Sequence, residues 1–501
     1  MTTNDVLVAH LRAVLGDAVI TDRDVTESYQ RDMMPLAPYG TPLAVVLPGN
    51  VEEVREVVRA CAKAKVPIVP RGAGSGLSGA ANAIDGCVML STTRMNEIIE
   101  IDPDNRLAVL QPGVINLDFR GAVEKRGLFY PPDPSSYDWC TIGGNVSTNA
   151  GGLCCVKYGV TTDSVLGLEV VLADGEVLRT GRRTVKGVAG YDLTKLFVGS
   201  EGTLGVITRI TVALRPLPQA PGTMFASFGS TEAAGAAVSR VVREGLVPSL
   251  MEIMDQASIE AVEKYLNTEL GAGKGCAALL ICQSDSGGEA AGHELAAIEQ
   301  ICEDAGADLV HTTFDLAEGT MLLKARRAVL TALEVYGTWL TDDVCVPRTR
   351  IAELIRGCER ISAECGLRIA VVGHAGDGNM HPTIVYDPTS ADEFARAQQA
   401  FDAILDVGLG LGGTITGEHG VGKIKREWLE KEIGPVGMRV HRAIKAALDP
   451  ENLFNPGSMF GQPSAFDALD PLGDLGVRAA RGDRGFARPA VPDHLDQDRN
   501  H

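Results

Sequence analysis

Apolar positions along the first 215 residues fall into short runs broken by one clear helical stripe. Leu43–Leu47 reads as a strand. Asn50 and Glu53 then form a capping pattern, and Val51, Val54, Val57, Val58 and Cys61 mark one face of the helix it opens. Val66–Val69 is the next strand, so the chain begins with a βαβ-like unit. From Gly86 onward strands dominate: Val88–Leu90, Leu107–Leu110, Val165–Leu172, Glu176–Arg179 and Gly205–Leu214. Asp174-Gly175 is a hairpin turn between two of them. The pattern predicts a strand-rich α+β domain up to about residue 215.

Pro216, Pro218 and Pro221 mark a linker, and beyond it strands and helices alternate. Thr223–Phe228 reads as a strand, Thr231–Arg243 as a helix and Ala277–Cys282 as a strand. Helices follow near 287–305 and 316–335. A strand over 342–346 leads to a helix opened by Pro347, then to a buried strand over 367–373. This predicts a second α+β domain, an antiparallel sheet with helices on one face. The tail over 463–501 is rich in Asp, Arg, Pro and Gly, lacks an apolar period and reads as disordered.

A chain of 501 residues exceeds what one core usually holds, which agrees with two domains. The net charge of −19 argues against a nucleic acid or an anionic membrane as the main partner. No apolar run approaches the ~20 residues of a membrane span, and no signal peptide is visible. The eleven cysteines form no CxxC, so neither a zinc ribbon nor an iron–sulfur cluster is indicated. Their odd number suits a reducing cytoplasm. The expected location is cytoplasmic, with any membrane contact peripheral and made through a partner.

Candidate chemistry concentrates in His374-Ala375-Gly376-Asp377-Gly378-Asn379-Met380-His381 and in Glu418-His419, which begins 37 residues beyond His381. If Asp377-Gly378 is a two-residue hairpin turn, Gly376 faces Asn379, Ala375 faces Met380 and His374 faces His381. Directly opposed residues have Cβ atoms about 4.5–5.5 Å apart, close enough for two imidazoles to grip one metal ion. Glu418 would complete a His/His/Glu set with an open position, the arrangement of a catalytic metal site. A lone histidine is more often a surface or satisfied core residue. Here three of nine histidines fall in two short glycine-rich stretches, which favours ligation.

Three further glycine-rich stretches lie in the first domain. In Pro70-Arg71-Gly72-Ala73-Gly74-Ser75-Gly76-Leu77-Ser78-Gly79, Gly74, Gly76 and Gly79 satisfy GxGxxG, but no amphipathic helix follows, so a Rossmann loop is a poor reading. Consecutive N–H groups in such a loop can still cradle phosphates. Pro131–Ser136 followed by Gly143–Gly152 would let backbone approach a flat or phosphorylated ligand. Gly190–Ile207 is the third stretch. Three such stretches in one domain point to a large bound cofactor.

These loops resemble the FAD-binding domain of the vanillyl-alcohol-oxidase flavoprotein superfamily. The second domain resembles that of its glycolate oxidase FAD subunit, D-lactate dehydrogenase and D-2-hydroxyglutarate dehydrogenase branch. The likeness covers about residues 20 to 460. It is carried by Gly373–His381, Thr416-Gly417-Glu418-His419-Gly420, Gly199-Ser200-Glu201-Gly202-Thr203-Leu204-Gly205 and Asp449–Gly457.

The resemblance implies an α+β fold: a two-part FAD-binding domain plus an antiparallel-sheet α+β substrate, or cap, domain. The divisions are 1–215 for FAD, 216–445 for substrate and metal, and 446–460 returning to the FAD domain. Arg71, Gly72, Ala73, Gly74, Ser75, Gly76, Leu77, Ser78 and Gly79 would wrap the FAD pyrophosphate. Pro132, Asp133, Gly144, Asn145, Thr148, Gly151, Glu201, Gly202, Ile207 and Asn455 would line its other regions. His374, His381 and Glu418 match the metal ligands, His419 the general base, and Asn379 and Arg326 (with Arg327 as the fallback) the substrate-positioning residues. The metal would be zinc, with manganese or iron as alternatives.

Some members attach FAD through a histidine near the first loop. None occurs between His10 and His293, so non-covalent FAD is expected. Members acting on longer dicarboxylates carry a lysine where this chain has Thr341-Asp342-Asp343. Two acids there would repel a distal carboxylate and favour a small monocarboxylate. The expected activity is therefore FAD- and metal-dependent dehydrogenation of glycolate, D-lactate or a similar 2-hydroxy acid. The electrons would pass to a quinone, an electron-transfer protein or an iron–sulfur subunit. The alternatives are a D-2-hydroxyglutarate dehydrogenase, a metal hydrolase, which would leave the glycine loops unexplained, and a non-catalytic flavin-binding subunit.

Overall fold

The computed structural model describes residues 2–268, 270 and 275–460. The tail expected to be disordered over 463–501 lies outside the described residues.

Helix Val51–Ala64 forms where the apolar stripe places it, burying Val54, Val57, Val58 and Cys61. Asn50 accepts the Glu53 N–H at 3.0 Å, and the Glu53 carboxylate reaches back to the Gly49 N–H at 2.8 Å. Strands Ala44–Val46 and Ile68–Arg71 pair in parallel with opposite edges of Val88–Ser91. Val19–Ile20 adds an antiparallel edge to make four strands. The glycine loop therefore leaves the C-terminal end of a parallel strand, the end at which open α/β sheets bind ligands.

A second sheet orders Ile98–Asp102, Leu107–Leu110, Val206–Ala213, Val165–Val171 and Val177–Gly181, antiparallel throughout. Phe119, Tyr130, Ile142 and Phe197 pack on it as a separate core. The proline segment is tied to this part of the molecule, because Arg215–Pro216 pairs with Leu128–Phe129.

The third sheet has eight strands, and every pairing in it is antiparallel. Helices cover both of its faces, not one as expected. Met224, Ala226 and Phe228 point toward helices Thr231–Arg243, Gly288–Asp304, Ile351–Cys365 and Ala391–Gly410. Phe225, Leu250 and Met254 point the other way, toward Gln256–Leu266, Leu316–Arg327 and Val329–Glu334. The cause is visible in the strands: every residue of Gly222–Phe228, Leu250–Asp255 and Ala278–Ser284 is buried. A sheet covered on both faces has unbroken rather than alternating apolar strands.

The strand expected over 342–346 is split. Thr338–Thr341 and Val344–Cys345 both pair with Asn379–Tyr386, and the buried Asp342-Asp343 pair interrupts them. A 3₁₀ turn, Arg348–Arg350, precedes the helix that Pro347 was expected to open. Helix Arg426–Leu448 breaks at Gly434, just before Pro435. The chain then returns to the first sheet, where Phe454 bridges Ile68 and packs with Leu453 in its core.

Candidate functional site

The glycine loop, the second sheet's domain and the third sheet enclose a cavity of about 600 Å³. Arg71, Gly72, Ala73, Gly74, Ser75, Gly76, Leu77 and Ser78 line one part of it. Gly144, Asn145, Thr148, Glu201, Gly202 and Ile207 line another, and Arg326, His381, Glu418 and His419 complete it. The segment read as an open backbone surface is in fact the short helix Ile142–Thr148, capped by Thr141 through the Gly144 N–H.

Among the described residues, no backbone N–H from Ala73 to Ser78 finds a protein acceptor. The buried Ser78 hydroxyl is likewise without a hydrogen-bond partner. Ala73–Leu77 are half-buried along the cavity wall, and a run of unpaired N–H groups there is a cradle for an anion. A Cβ on Gly72 would lie 2.3 Å from the Thr141 hydroxyl, and Gly74 has a φ of +85°. These residues fit a pyrophosphate group.

Besides Gly151, four of the expected cofactor residues stand behind the wall. The Gly79 N–H donates to Asp32 at 2.7 Å. The Pro132 carbonyl accepts from Asn116 at 3.1 Å, and buried Asp133 accepts the Cys154 N–H at 3.2 Å. Asn455 donates its amide to the carbonyls of Ala80 and Glu201, each at 2.8 Å. It ties the returning C-terminal segment to the glycine loop. Glu201 lines the cavity, yet its carboxylate accepts the Val421 and Gly422 N–H groups, both at 2.7 Å. Burial pushes its pKa up to about 7, against the pull of those two bonds. Its side chain clamps the loop that follows His419 to the first domain.

The hairpin register differs from the expected one by two residues. His374 pairs with Asn379, Gly373 with Met380 and Val372 with His381, so the turn spans 375–378. The Gly378 φ of +82° and a would-be Cβ only 2.1 Å from the Val346 carbonyl explain the glycine there. A shift of two keeps every side chain on its face. His374 and His381 are thus diagonal neighbours with ring centroids 5.1 Å apart. Glu252 is the direct partner of His374 on the other neighbouring strand. Glu252, His374, Asn379 and His381 therefore share one face of the sheet, below helix Leu316–Arg327, whose last turn carries Arg326.

Glu418 Oε1 lies 3.3 Å from His374 Nε2 and 3.2 Å from His381 Nε2. Tetrahedral ligands held at about 2.0–2.1 Å from zinc stand about 3.3 Å apart, so the donor set fits such an ion. His374 Nδ1 donates to Glu252 Oε1 at 2.6 Å, and Arg326 Nε faces Glu252 Oε2 at 2.8 Å. Burial alone would keep the His374 pKa low, but Glu252 and Glu418 together raise it well above the ordinary value. Burial would raise that of Glu418, and the two histidines hold it well below. The cluster is thus organised around exchange of positive charge with a carboxylate.

His419 stacks on His381 with centroids 5.0 Å apart and planes 12° from parallel. Burial lowers its pKa to about 4, although Asp343 pulls upward. Asn379 does not line the cavity; it is buried beneath Gly417, with Oδ1 unpaired. Arg327 lines the cavity with its guanidinium 5.4 Å from the Tyr137 ring centroid. Arg326, the first choice, is the one ion-paired to the cluster through Glu252.

The Asp342-Asp343 argument for a small substrate is overturned. Asp342 pairs with Lys425 at 2.7 Å, deep in the protein. Asp343 Oδ2 accepts from the Thr416 hydroxyl at 2.7 Å, the Glu418 N–H at 2.9 Å and the His419 N–H at 2.8 Å. Neither acid faces the cavity. They hold the loop that presents Glu418 and His419, Asp343 directly and Asp342 through Lys425, which also donates to the Ile415 carbonyl. Glu252 and Asp32 were missed. Glu252 did leave a signal, an acid inside the apolar run Leu250-Met251-Glu252-Ile253-Met254. Asp32 left none.

Gly151 stands behind the metal cluster, not on the cavity wall. A Cβ there would lie 2.5 Å from Glu418 Oε2 and 3.3 Å from Glu418 Cβ. Glu418 cannot swing away without abandoning both histidines. Gly151→Ala is expected to lower bound metal and turnover together while leaving flavin content unchanged. Elemental analysis of the purified variant checks this, and wild-type metal content would contradict it.

The chain matches the model for an FAD binding domain over residues 42–181 and that for FAD linked oxidases, C-terminal domain, over residues 217–459. It is 43% identical over 440 residues to the glycolate oxidase subunit GlcD of Bacillus subtilis, covering 88% of this chain and 91% of that one. It is 35% identical over 466 residues to the D-lactate dehydrogenase of Anaerostipes hadrus, covering 90% and 95%. Among solved structures, p-cresol methylhydroxylase with substrate bound superposes with a TM-score of 0.74 over 92% of this chain and 97% of that one, at 21% identity. That likeness is one of fold.

Proposed function

The chain belongs to the FAD-linked oxidases of the vanillyl-alcohol-oxidase superfamily, and from that membership we propose that it oxidises a small 2-hydroxy acid, of the glycolate or D-lactate type, to the 2-oxo acid. The observation that carries this reading is the convergence on one cavity of the free N–H cradle at 73–78 and the His374/His381/Glu418 set, with Arg326 and His419 beside it. The small size of the acid rests on the glycolate relatives, since Asp342 and Asp343 face elsewhere.

When bound, FAD supplies the hydride acceptor that no side chain can provide, and a divalent metal supplies a Lewis acid for the substrate hydroxyl. Residues 1–215 with 446–460 would hold the flavin, its pyrophosphate on the N–H groups of Ala73–Ser78. Residues 216–445 would hold the metal through His374, His381 and Glu418, with zinc favoured by two nitrogens and one oxygen. Arg326, ion-paired to Glu252, would pair with the substrate carboxylate. His419 takes the hydroxyl proton on a ring nitrogen. The C2 hydrogen leaves with its electron pair, and the carbon–oxygen bond becomes a carbonyl. Asn379, buried against Gly417 and off the cavity wall, packs beneath the loop that carries Glu418 and His419 and is given no contact with the substrate.

The protein should be yellow, with non-covalent flavin, because no histidine lies in residues 11–292. Acid precipitation should release the flavin to the supernatant; flavin left in the pellet would contradict this. Among the described residues no helix is long and apolar enough to cross a membrane. The acceptor we assign is a quinone, an electron-transfer protein or an iron–sulfur subunit. With glycolate or D-lactate at saturation, reduction of an artificial dye should far outpace oxygen consumption. Equal rates would make the protein a true oxidase. A colourless protein without dye reduction by any 2-hydroxy acid would overturn the proposed function.

A further inference from the structure

We propose that Glu252 is a positioning residue that sets the tautomer of His374 and the position of the Arg326 charge together, holding metal and substrate carboxylate in one fixed relation; this rests on the function proposed above. Glu252 is fully buried in strand Leu250–Asp255, on the face that also carries Leu250 and Met254. A carboxylate in such surroundings is costly unless both oxygens are engaged. Here each oxygen meets a different member of the site: Oε1 takes the His374 Nδ1–H at 2.6 Å, and Oε2 forms an ion pair with Arg326 Nε at 2.8 Å, close in distance but without hydrogen-bond alignment.

A merely structural ion pair would need Arg326 alone. The ladder makes the second contact obligatory, because Glu252 and His374 are direct partners on adjacent strands. With its proton on Nδ1, His374 presents a bare Nε2 toward Glu418, and only that tautomer can ligate. The same carboxylate fixes Arg326, which lines the cavity where the substrate acid would sit. An orienting carboxylate behind a ligating histidine commonly tunes metal affinity by about 10–100-fold. Here that carboxylate is shared with the arginine, so the two recognition elements cannot move independently.

Glu252→Gln separates this role from bulk and packing. An amide has one oxygen and one NH₂. If the oxygen faces His374, the NH₂ meets Arg326 donor to donor. If the NH₂ faces His374, the ring must accept on Nδ1, and Nε2 carries the proton and cannot ligate. Either way one partner is lost.

The test measures metal affinity of the flavin-loaded protein by competition with a chromophoric chelator, and KM for glycolate or D-lactate at saturating metal. Glu252→Gln should weaken metal by about 10–100-fold, or raise KM by about tenfold or more, with FAD retained. Arg326→Lys, the reference, should raise KM and leave metal affinity unchanged. A Glu252→Gln protein with wild-type metal affinity and wild-type KM overturns the proposal. If that variant loses FAD, Glu252→Asp replaces it. Aspartate keeps the charge but is too short to reach both partners, so metal affinity should still fall or KM should still rise. Loss of FAD in both variants would mean a core role and would also overturn the proposal. A wild-type protein that binds no metal or oxidises no 2-hydroxy acid refutes the underlying function instead.

Discussion

His374→Ala, His381→Ala and Glu418→Ala should each abolish turnover while the flavin stays bound. The three side chains come from the paired strands Arg368–His374 and Asn379–Tyr386 and from the loop that Asp343 holds. The N–H cradle at 73–78 stands on a different sheet. Removing one of three ligands leaves two donors around an open site, too few to retain a divalent ion against a chelator. Lewis-acid assistance contributes several kcal/mol to lowering the barrier, so the loss should be about 10³-fold or more. Flavin absorbance and metal content of each variant, measured side by side, check this. Wild-type rates in a metal-depleted variant would sink the ligand assignment.

His419→Gln should slow flavin reduction by about 10²–10⁴-fold, the usual cost of removing a general base. Metal content should change little. His419 stacks on His381 and does not belong to the His374/His381/Glu418 set. Its backbone N–H, which Asp343 accepts, survives the substitution, so the loop carrying Glu418 should keep its shape. Stopped-flow mixing with substrate reads the reduction step directly. A rate within about threefold of wild type would remove His419 from catalysis, and a parallel loss of metal would make it a ligand.

Much of this site was legible along the chain, for reasons that can be stated. The register of the 374–381 hairpin was misread by two residues, yet the two histidines still converge, because strand side chains have a period of two. Helix Val51–Ala64 lies where its stripe placed it because a surface helix must bury one face. What could not be read depends on contacts distant in sequence. Glu252 meets His374 across 122 residues, and its only local trace is an acid in an apolar run. Asp342 and Asp343 looked like a charged rim, but Lys425 and the N–H groups of the 416–419 loop bury them. Helix Ile142–Thr148 hides in a stretch of glycine, serine and asparagine whose helix propensity is low, and tertiary packing of Ile142 and Val146 overrides that preference.

The central claim is that one cavity brings a flavin, a metal held by His374, His381 and Glu418, and a 2-hydroxy acid together. Anaerobic mixing of the purified protein with glycolate and with D-lactate, before and after metal removal by a chelator, tests it most directly. Rapid bleaching of the flavin absorbance by one of these acids, lost on chelation and restored by adding the divalent ion back, is the result expected. Bleaching at the same rate without metal, or no bleaching by any 2-hydroxy acid in the metal-loaded protein, would contradict it.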